Sequence, residues 1–157
     1  KDDKGLKKTA ANTNVAIKNP YIPSSDWGWQ IDPKGLRYSL NEIYDRYQIP
    51  VMVVENGLGA YDEIEADGSI NDDYRIDYQR RHIEELKNLM EEGTDIFAYT
   101  MWSPFDIVSG NSCEMEKRYG LIYVDIDNEG NGTGKCIPKD SFYWYKKVIA
   151  SNGEDLE

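Results

Sequence analysis

Histidine and cysteine are scarce in this 157-residue chain, which has one histidine and two cysteines. Cys113 and Cys136 lack Cys-x-x-Cys spacing and have no histidine nearby, so we expect no metal site. His82 falls inside a predicted helix, apart from any Asp, Cys or Ser constellation, and we expect it to be structural. The chain also lacks a signal peptide and any long apolar run, and a reducing cytosolic setting is therefore expected.

Basic residues are in the minority, since 18 Lys and Arg stand against 29 Asp and Glu and give a net charge of −11. Nucleic acid and anionic membrane surfaces both require basic patches, so we expect the chain to bind neither. An anionic substrate would need a local positive pocket, for which Lys117 and Arg118 are candidates. The twelve Tyr and four Trp suit stacking against sugars as well as ordinary packing.

Hydrophobic periodicity divides the chain into alternating helices and strands. Residues 1–19 are polar and aperiodic, so a flexible arm or loop is expected there, and residues 20–157 are expected to fold. An alternation of strands and helices is typical of a parallel α/β protein. The predicted elements are a helix 34–47, a strand 51–54, a helix 74–92, a strand 96–102, a hairpin of 121–125 with 135–137, and a helix 141–150.

Two parallel strands cannot form a complete sheet, so the chain is either a piece of a larger fold or borrows strands from a partner. The strand 51–54 is a continuous apolar run, which is typical of strands buried on both faces. Apolar residues at three- and four-residue spacing predict the buried helix faces. These residues are Leu36, Leu40, Ile43, Tyr44 and Tyr47 in the first helix, and Ile76, Ile83, Leu86 and Met90 in the second.

Glu55 directly follows the first predicted strand, and Gly57 ends that strand at once. A carboxylate is seldom placed beside a buried strand without a partner or a purpose. The carboxyl end of a parallel strand is also where barrel enzymes carry their catalytic residues. Glu55 is therefore a candidate catalytic nucleophile, and the alternative is a capping or salt-bridged carboxylate that closes the strand.

The second predicted strand ends at Trp102, whose indole could stack on a sugar or simply pack in the core. The loop that follows, residues 109–120, contains hydroxyls together with Lys117 and Tyr119. Such groups could hold a phosphate dianion by charge and directed hydrogen bonds. On chemistry alone, an ordinary solvated charged loop is the favoured alternative.

Four segments together resemble the C-terminal third of a family 1 glycoside hydrolase, and the nearest branch is that of the 6-phospho-β-glucosidases. They are residues 25–29 (SDWGW), residues 53–57 (VVENG), Trp102 and residues 117–120 (KRYG). The resemblance extends from about residue 19 onward in the family order. It implies an α/β fold, the C-terminal fragment of a (β/α)8 TIM barrel with strands seven and eight and their flanking helices. It also implies a retaining two-carboxylate mechanism without a metal or organic cofactor.

The resemblance assigns roles to individual residues. Glu55, on strand seven, would be the nucleophile, and Trp102, on strand eight, would stack on the sugar. Ser109, Lys117 and Tyr119 would bind the 6-phosphate of a phosphorylated β-glucoside.

Two nearby positions, Asn111 and Gly110, leave part of that assignment open. A hydroxyl residue is often found where this chain has Asn111, so either Ser109 or Ser112 could contact the phosphate. Gly110 stands where phospho-β-galactosidase relatives have Trp, which favours glucose as the sugar.

The family's general acid/base lies in an Asn-Glu-Pro motif, and this sequence has none. Asn41-Glu42 is followed by Ile43 within a predicted helix and is not a substitute. We therefore expect the isolated chain to be inactive, since an acid/base typically contributes about 10²–10⁴-fold in rate.

Two alternatives stay open. One is a non-catalytic fragment that binds sugar phosphate or self-associates through open sheet edges. The other is a β-glucosidase that does not need the phosphate.

Overall fold

The structure, a computed structural model, describes residues 19–110 and 112–157. The arm expected over residues 1–19 lies, apart from residue 19, outside the described residues. Every predicted helix and strand is confirmed, although the second strand ends at Tyr99 rather than at residue 102. The elements are α1 (Pro33–Tyr47), β1 (Val51–Val53), α2 (Asp73–Glu91), β2 (Ile96–Tyr99), β3 (Ile122–Ile126), β4 (Gly132–Pro138) and α3 (Asp140–Ala150).

Local capping fixes the ends of α1. An Asp32 carboxylate oxygen accepts a hydrogen bond from the Gly35 backbone N–H at 3.0 Å, and Pro33 begins the helix, where its missing N–H costs nothing. Gln48 ends the helix in the left-handed conformation, with a φ of 51°. Local sequence signals are thus sufficient to set both ends of this helix.

Only part of each predicted helix face is buried. On α1, Leu40 is buried, whereas Ile43 and Tyr47 are 44% and 60% exposed, which corrects the predicted five-residue face. On α2, Leu89 is buried in place of the predicted Met90. The reason is that a single stripe of each helix meets the sheet and the neighbouring helix, so the outer residues of a wide apolar face stay exposed.

Strands β1 and β2 pair in parallel, with Val51 opposite Ile96 and Val53 opposite Tyr99. One face of this two-stranded sheet packs on α1 and α2 through a buried cluster of Leu40, Val53, Leu86 and Leu89. The prediction of burial on both faces is wrong for this chain, because alternate side chains point away from the helices. Those on the uncovered face are Met52, Val54 and Phe97, which are 37%, 66% and 65% exposed.

The remaining elements form a second half of the structure. Strands β3 and β4 make the predicted antiparallel hairpin, with Ile122 opposite Pro138. Helix α3 follows at once and packs Trp144 and Val148 against Ile83 of α2. None of the helices in the described ranges is long and apolar enough to cross a membrane.

Candidate active site

The two strand exits lie side by side because backbone pairing continues beyond both strands. The Thr100 N–H donates to the Val53 carbonyl at 2.8 Å, and the Trp102 N–H donates to the Asn56 carbonyl at 2.8 Å. An open pocket of about 380 Å³ lies at this edge. Its lining consists of Trp29, Glu55, Asn56, Gly57, Trp102, Gly110 and Tyr119.

Glu55 is solvent-exposed at the edge of this pocket. Among residues 19–110 and 112–157, no Lys or Arg nitrogen forms an ion pair with its carboxylate, and no donor hydrogen-bonds to it. The alternative of a salt-bridged or capping carboxylate therefore finds no support in the geometry. A carboxylate that faces a pocket without such a partner is available to act as a nucleophile.

Asn56 holds the strand exit by both ends of its side chain. Its amide oxygen accepts from the Tyr78 hydroxyl at 2.8 Å, and its amide nitrogen donates to the Tyr99 hydroxyl at 3.1 Å. The Gln79 side chain donates to the Asn56 backbone carbonyl at 3.0 Å. Burial raises the pKa of Tyr78 to about 12, so its hydroxyl stays protonated as a donor at neutral pH. These residues fix the backbone next to Glu55.

Sequence reasoning missed this support around Asn56. Tyr78 and Gln79 are polar residues in the interior of α2, where periodicity marks only apolar positions. The sequence offers one signal, namely that Tyr78 and Gln79 are two polar residues next to the apolar stripe of an amphipathic helix. It does not show that Asn56, on another element, is the residue they bind.

Trp102 and Tyr119 meet at the pocket with their rings edge to face, 6.0 Å apart between centroids. The Tyr119 hydroxyl donates to the Ser109 hydroxyl oxygen at 3.0 Å, and both residues are buried, at 5% and 1% exposure. The Ser112 backbone N–H points at the same Ser109 oxygen at 3.4 Å. The structure therefore places Ser109 beside Tyr119 and the Ser112 backbone next to Ser109, while Asn111 lies outside the described residues.

Lys117 is 2% exposed, and its ammonium lies among three aromatic rings. The Nζ atom is 4.1 Å from the Trp29 ring centroid, 5.3 Å from that of Tyr119 and 5.5 Å from that of Trp27. In the part of the chain that the structure describes, no carboxylate lies within ion-pair distance of this nitrogen. A buried cation without a counter-ion is costly, and an incoming anion would relieve that cost.

Arg118 is not available for an anion in the pocket. Its guanidinium donates to the carbonyls of Val124 at 2.9 Å and Ile126 at 3.0 Å, and to the Tyr123 hydroxyl. Of the two basic candidates for a positive pocket, only Lys117 therefore remains, because the donors of Arg118 are already bound to β3.

A buried ionic network lies beneath the loops of the site. Lys139 donates to Asp62 at 2.6 Å, to Asp106 at 2.8 Å and to the Gly120 carbonyl at 2.7 Å. Its side chain and those of both acids are fully buried, and burial lowers the pKa of the Lys139 ammonium. This lysine joins three separated loops, which the sequence gives no reason to bring together.

Arg75 extends the same network from the first turn of α2. It donates to Asp72 at 2.9 Å and to Asp62 at 3.3 Å. It also donates to the backbone carbonyls of Leu58 and Tyr119 at 3.1 and 3.0 Å. A planar guanidinium can bridge several acceptors at once, so Arg75 ties the loop after β1 to the loop that carries Lys117 and Tyr119.

Comparison with known proteins gives one consistent result. The sequence model of glycosyl hydrolase family 1 matches residues 1–154. The aryl-phospho-β-D-glucosidase BglH of Bacillus subtilis is 57% identical over 99% of this chain. The 6-phospho-β-glucosidase AscB of Escherichia coli is 56% identical over 95% of it. Among solved structures, a β-glucosidase from Thermotoga maritima in complex with castanospermine matches with a TM-score of 0.79 and 32% identity over 90% of this chain.

The chain spans about one third of the length of these relatives, namely 33%, 31% and 31% of the three. The match in structure covers 90% of this chain. The expected fold, a piece of a (β/α)8 TIM barrel, is thereby confirmed.

Proposed function

The chain belongs to glycosyl hydrolase family 1, and on that premise we propose that it supplies the nucleophile and the phosphate-binding groups of a 6-phospho-β-glucosidase. One observation carries the proposal. The pocket at the strand exits brings the unpaired Glu55 carboxylate, the Trp102 indole and Tyr119 together, with the Lys117 ammonium 5.3 Å from the Tyr119 ring.

In the proposed reaction, Glu55 attacks the anomeric carbon and displaces the aglycone oxygen, which leaves a glycosyl-enzyme that water then hydrolyses. A retaining mechanism of this kind needs a second carboxyl group about 5–5.5 Å away to protonate the leaving oxygen. Glu55 is the one acidic residue in the described pocket lining. We therefore propose that the 157-residue chain by itself does not turn over substrate.

Lys117 and the hydroxyls of Ser109, Ser112 and Tyr119 would recognise the 6-phosphate. The ammonium supplies charge, and the hydroxyls supply directed hydrogen bonds. The enclosed position of the Lys117 ammonium, with no carboxylate within ion-pair distance among the described residues, supports a phosphorylated substrate over a plain glucoside. The names of the phospho-β-glucosidase relatives point the same way.

A chimaera tests the role of Glu55. This chain would replace the matching third of the Bacillus subtilis relative, which then supplies the rest of the barrel. We expect the chimaera to hydrolyse a chromogenic 6-phospho-β-glucoside, and Glu55→Gln to reduce kcat by on the order of 10³-fold or more with KM little changed. An active Glu55→Gln chimaera would refute the assignment, whereas turnover by the isolated chain would refute the expected inactivity.

Calorimetry on the isolated chain tests phosphate recognition. We expect glucose 6-phosphate to bind more tightly than glucose, and Lys117→Met to remove the difference. Lys135→Met, at an exposed position on β4, is the matched control and should bind as the unmodified chain does. Equal affinity for the two sugars would favour an ordinary β-glucosidase.

A second candidate function is self-association without catalysis. The exposed side chains of Met52, Val54 and Phe97 lie on one face of a two-stranded sheet, whose outer edges have no strand partner among the described residues. Such faces and edges favour pairing with another copy. Light scattering should show an association that Phe97→Ser weakens and that Tyr143→Ser, at an exposed site on α3, does not. A monomer at all concentrations would remove this candidate.

We also propose that the protein acts in the cytosol. Cys113 and Cys136 are both exposed and unpaired, which suits a reducing compartment. Localisation of the tagged protein by cell fractionation tests this, and recovery outside the cytosolic fraction would contradict it.

A further inference from the structure

Trp29 contacts both the pocket and the Lys117 ammonium. Trp29 and Tyr119 border the pocket, whereas Lys117 does not and is only 2% exposed. The Trp29 ring centroid lies 4.1 Å from the Lys117 Nζ, the shortest of its three aromatic contacts. Of the two pocket rings that contact the ammonium, that of Trp29 is therefore the nearer.

The lysine itself has little freedom to move out toward a ligand. A Cβ placed on Gly59 would lie 2.6 Å from both Cγ and Cε of Lys117, so the alkyl chain rests directly on the Gly59 backbone. This contact fixes the direction of the side chain. Access to the ammonium must therefore come from a movement of its cover.

Two of the three rings around Lys117 are anchored. Tyr119 donates its hydroxyl hydrogen to Ser109 at 3.0 Å in a buried environment. Trp27 donates its indole N–H to Glu114 at 3.0 Å and packs on the Tyr61 ring at 4.6 Å between centroids. Moving either ring would break a hydrogen bond and a packed contact.

Trp29 has no comparable anchor. Its side chain is 45% exposed, and within the described residues its indole N–H has no hydrogen-bond acceptor. Its backbone is nevertheless held in a tight turn, because the Ser25 N–H donates to the Trp29 carbonyl at 2.8 Å. The ring can therefore rotate about its side-chain bonds while the loop stays in place.

We propose that Trp29 gates the phosphate site: its ring covers Lys117 through a cation–π contact in the free protein, and it swings aside when phosphate binds the ammonium. This inference rests on the phosphate recognition proposed above. The contact competes with the ligand, so the measured affinity is reduced by the fraction of molecules in which Lys117 is covered. Trp29 thus sets how tightly the site holds a phosphorylated sugar.

An NMR titration of the 157-residue chain with inorganic phosphate, at constant ionic strength, tests the gate. Trp29→Leu removes the cation–π partner, and we expect it to bind phosphate about three- to tenfold more tightly than the unmodified chain. Trp29→Phe keeps a ring over the lysine and should remain near the original affinity. Tyr38→Leu, an aromatic-to-leucine change at an exposed site on α1, should change nothing.

The failures are distinguishable. If Lys117→Met abolishes binding but Trp29→Leu binds no more tightly than the unmodified chain, the gate is wrong and the phosphate site stands. If the unmodified chain shows no Lys117-dependent binding and Trp29→Leu shows none either, both proposals are wrong. Circular dichroism of each variant tests whether a change in affinity reflects a loss of fold. The variant Trp29→Phe tests whether an aromatic ring over Lys117 is enough to keep the affinity near that of the unmodified chain.

Discussion

Gly57 and Trp102 are so close that a Cβ on residue 57 would lie 2.8 Å from the Cβ of Trp102. Each residue follows the end of one of the two parallel strands, so the contact marks where the two strand exits meet. Glu55 and Trp102 border the same pocket at this point. The pocket therefore requires glycine at position 57, because any side chain there would collide with Trp102.

We expect Gly57→Ala to force the two strand exits apart. Overpacking of this kind typically costs about 1–3 kcal/mol, and the binding of glucose 6-phosphate should weaken along with the stability. Urea denaturation and calorimetry measure the two effects. Gly110→Ala is the control for stability alone, because a Cβ there meets nothing within 4 Å although the residue borders the pocket. Equal stability of the two variants would contradict the steric argument.

We expect Asn56→Ala to loosen the backbone beside Glu55. The change leaves the Tyr78 hydroxyl without the acceptor that it has at 2.8 Å, and a buried group left unsatisfied costs about 1–3 kcal/mol. In the chimaera, kcat should fall more than KM rises, because Glu55, the proposed nucleophile, is displaced while the Trp102 ring, proposed to bind the sugar, stays. Asn88→Ala, at an exposed site on α2, should leave both parameters unchanged. A loss confined to KM would argue against positioning.

We expect Lys139→Met to destabilise the protein strongly. Removing one partner of a buried ion pair typically costs about 3–5 kcal/mol, since the remaining charge is left uncompensated, and here Asp62 and Asp106 would both lose their lysine. Chemical denaturation gives the change in the free energy of unfolding. Arg81→Met is the comparison, because its pair with Asp77 is exposed and should matter little. Similar losses in the two variants would show that burial is not the deciding factor.

The single histidine makes the stability depend on pH near neutrality. Burial lowers the pKa of His82 below its ordinary value of 6.5. As the pH falls, the histidine of the unfolded chain therefore binds a proton before the buried His82 of the folded chain does. The contribution of the neutral His82 to stability is complete above pH 6.5 and is lost below it. The midpoint temperature of thermal unfolding should decrease as the pH is lowered from about 7 to about 5.5. The variant His82→Gln should flatten this dependence. An identical slope in the variant would contradict the assignment.

Local patterns predicted the elements well because each depends on neighbours in sequence. Asp32 and Pro33 mark the start of α1, and the apolar run 51–54 marks β1. The same patterns overestimated burial at Ile43 and Met52, because periodicity reports which face is apolar and not whether anything covers it. Coverage depends on elements far away along the chain.

The candidate site was predicted in part. Glu55, Trp102 and Tyr119 were identified from strand exits and motifs, and the structure brings them to one pocket. Their individual roles stay predictions. Arg118 was named with Lys117 as a candidate for a positive pocket, and the structure separates the two, since Arg118 faces the hairpin carbonyls.

The sequence by itself determined the family, the order of the elements and the residues at the strand exits, because these follow from short-range spacing and motif. Only the tertiary structure decided what surrounds those residues. Lys117 lies under Trp29, from which it is separated by 88 positions, and Lys139 joins Asp62 and Asp106 from two other loops. Such contacts arise when packing brings distant segments together in a low-dielectric interior, where a charge must find a partner or a π face.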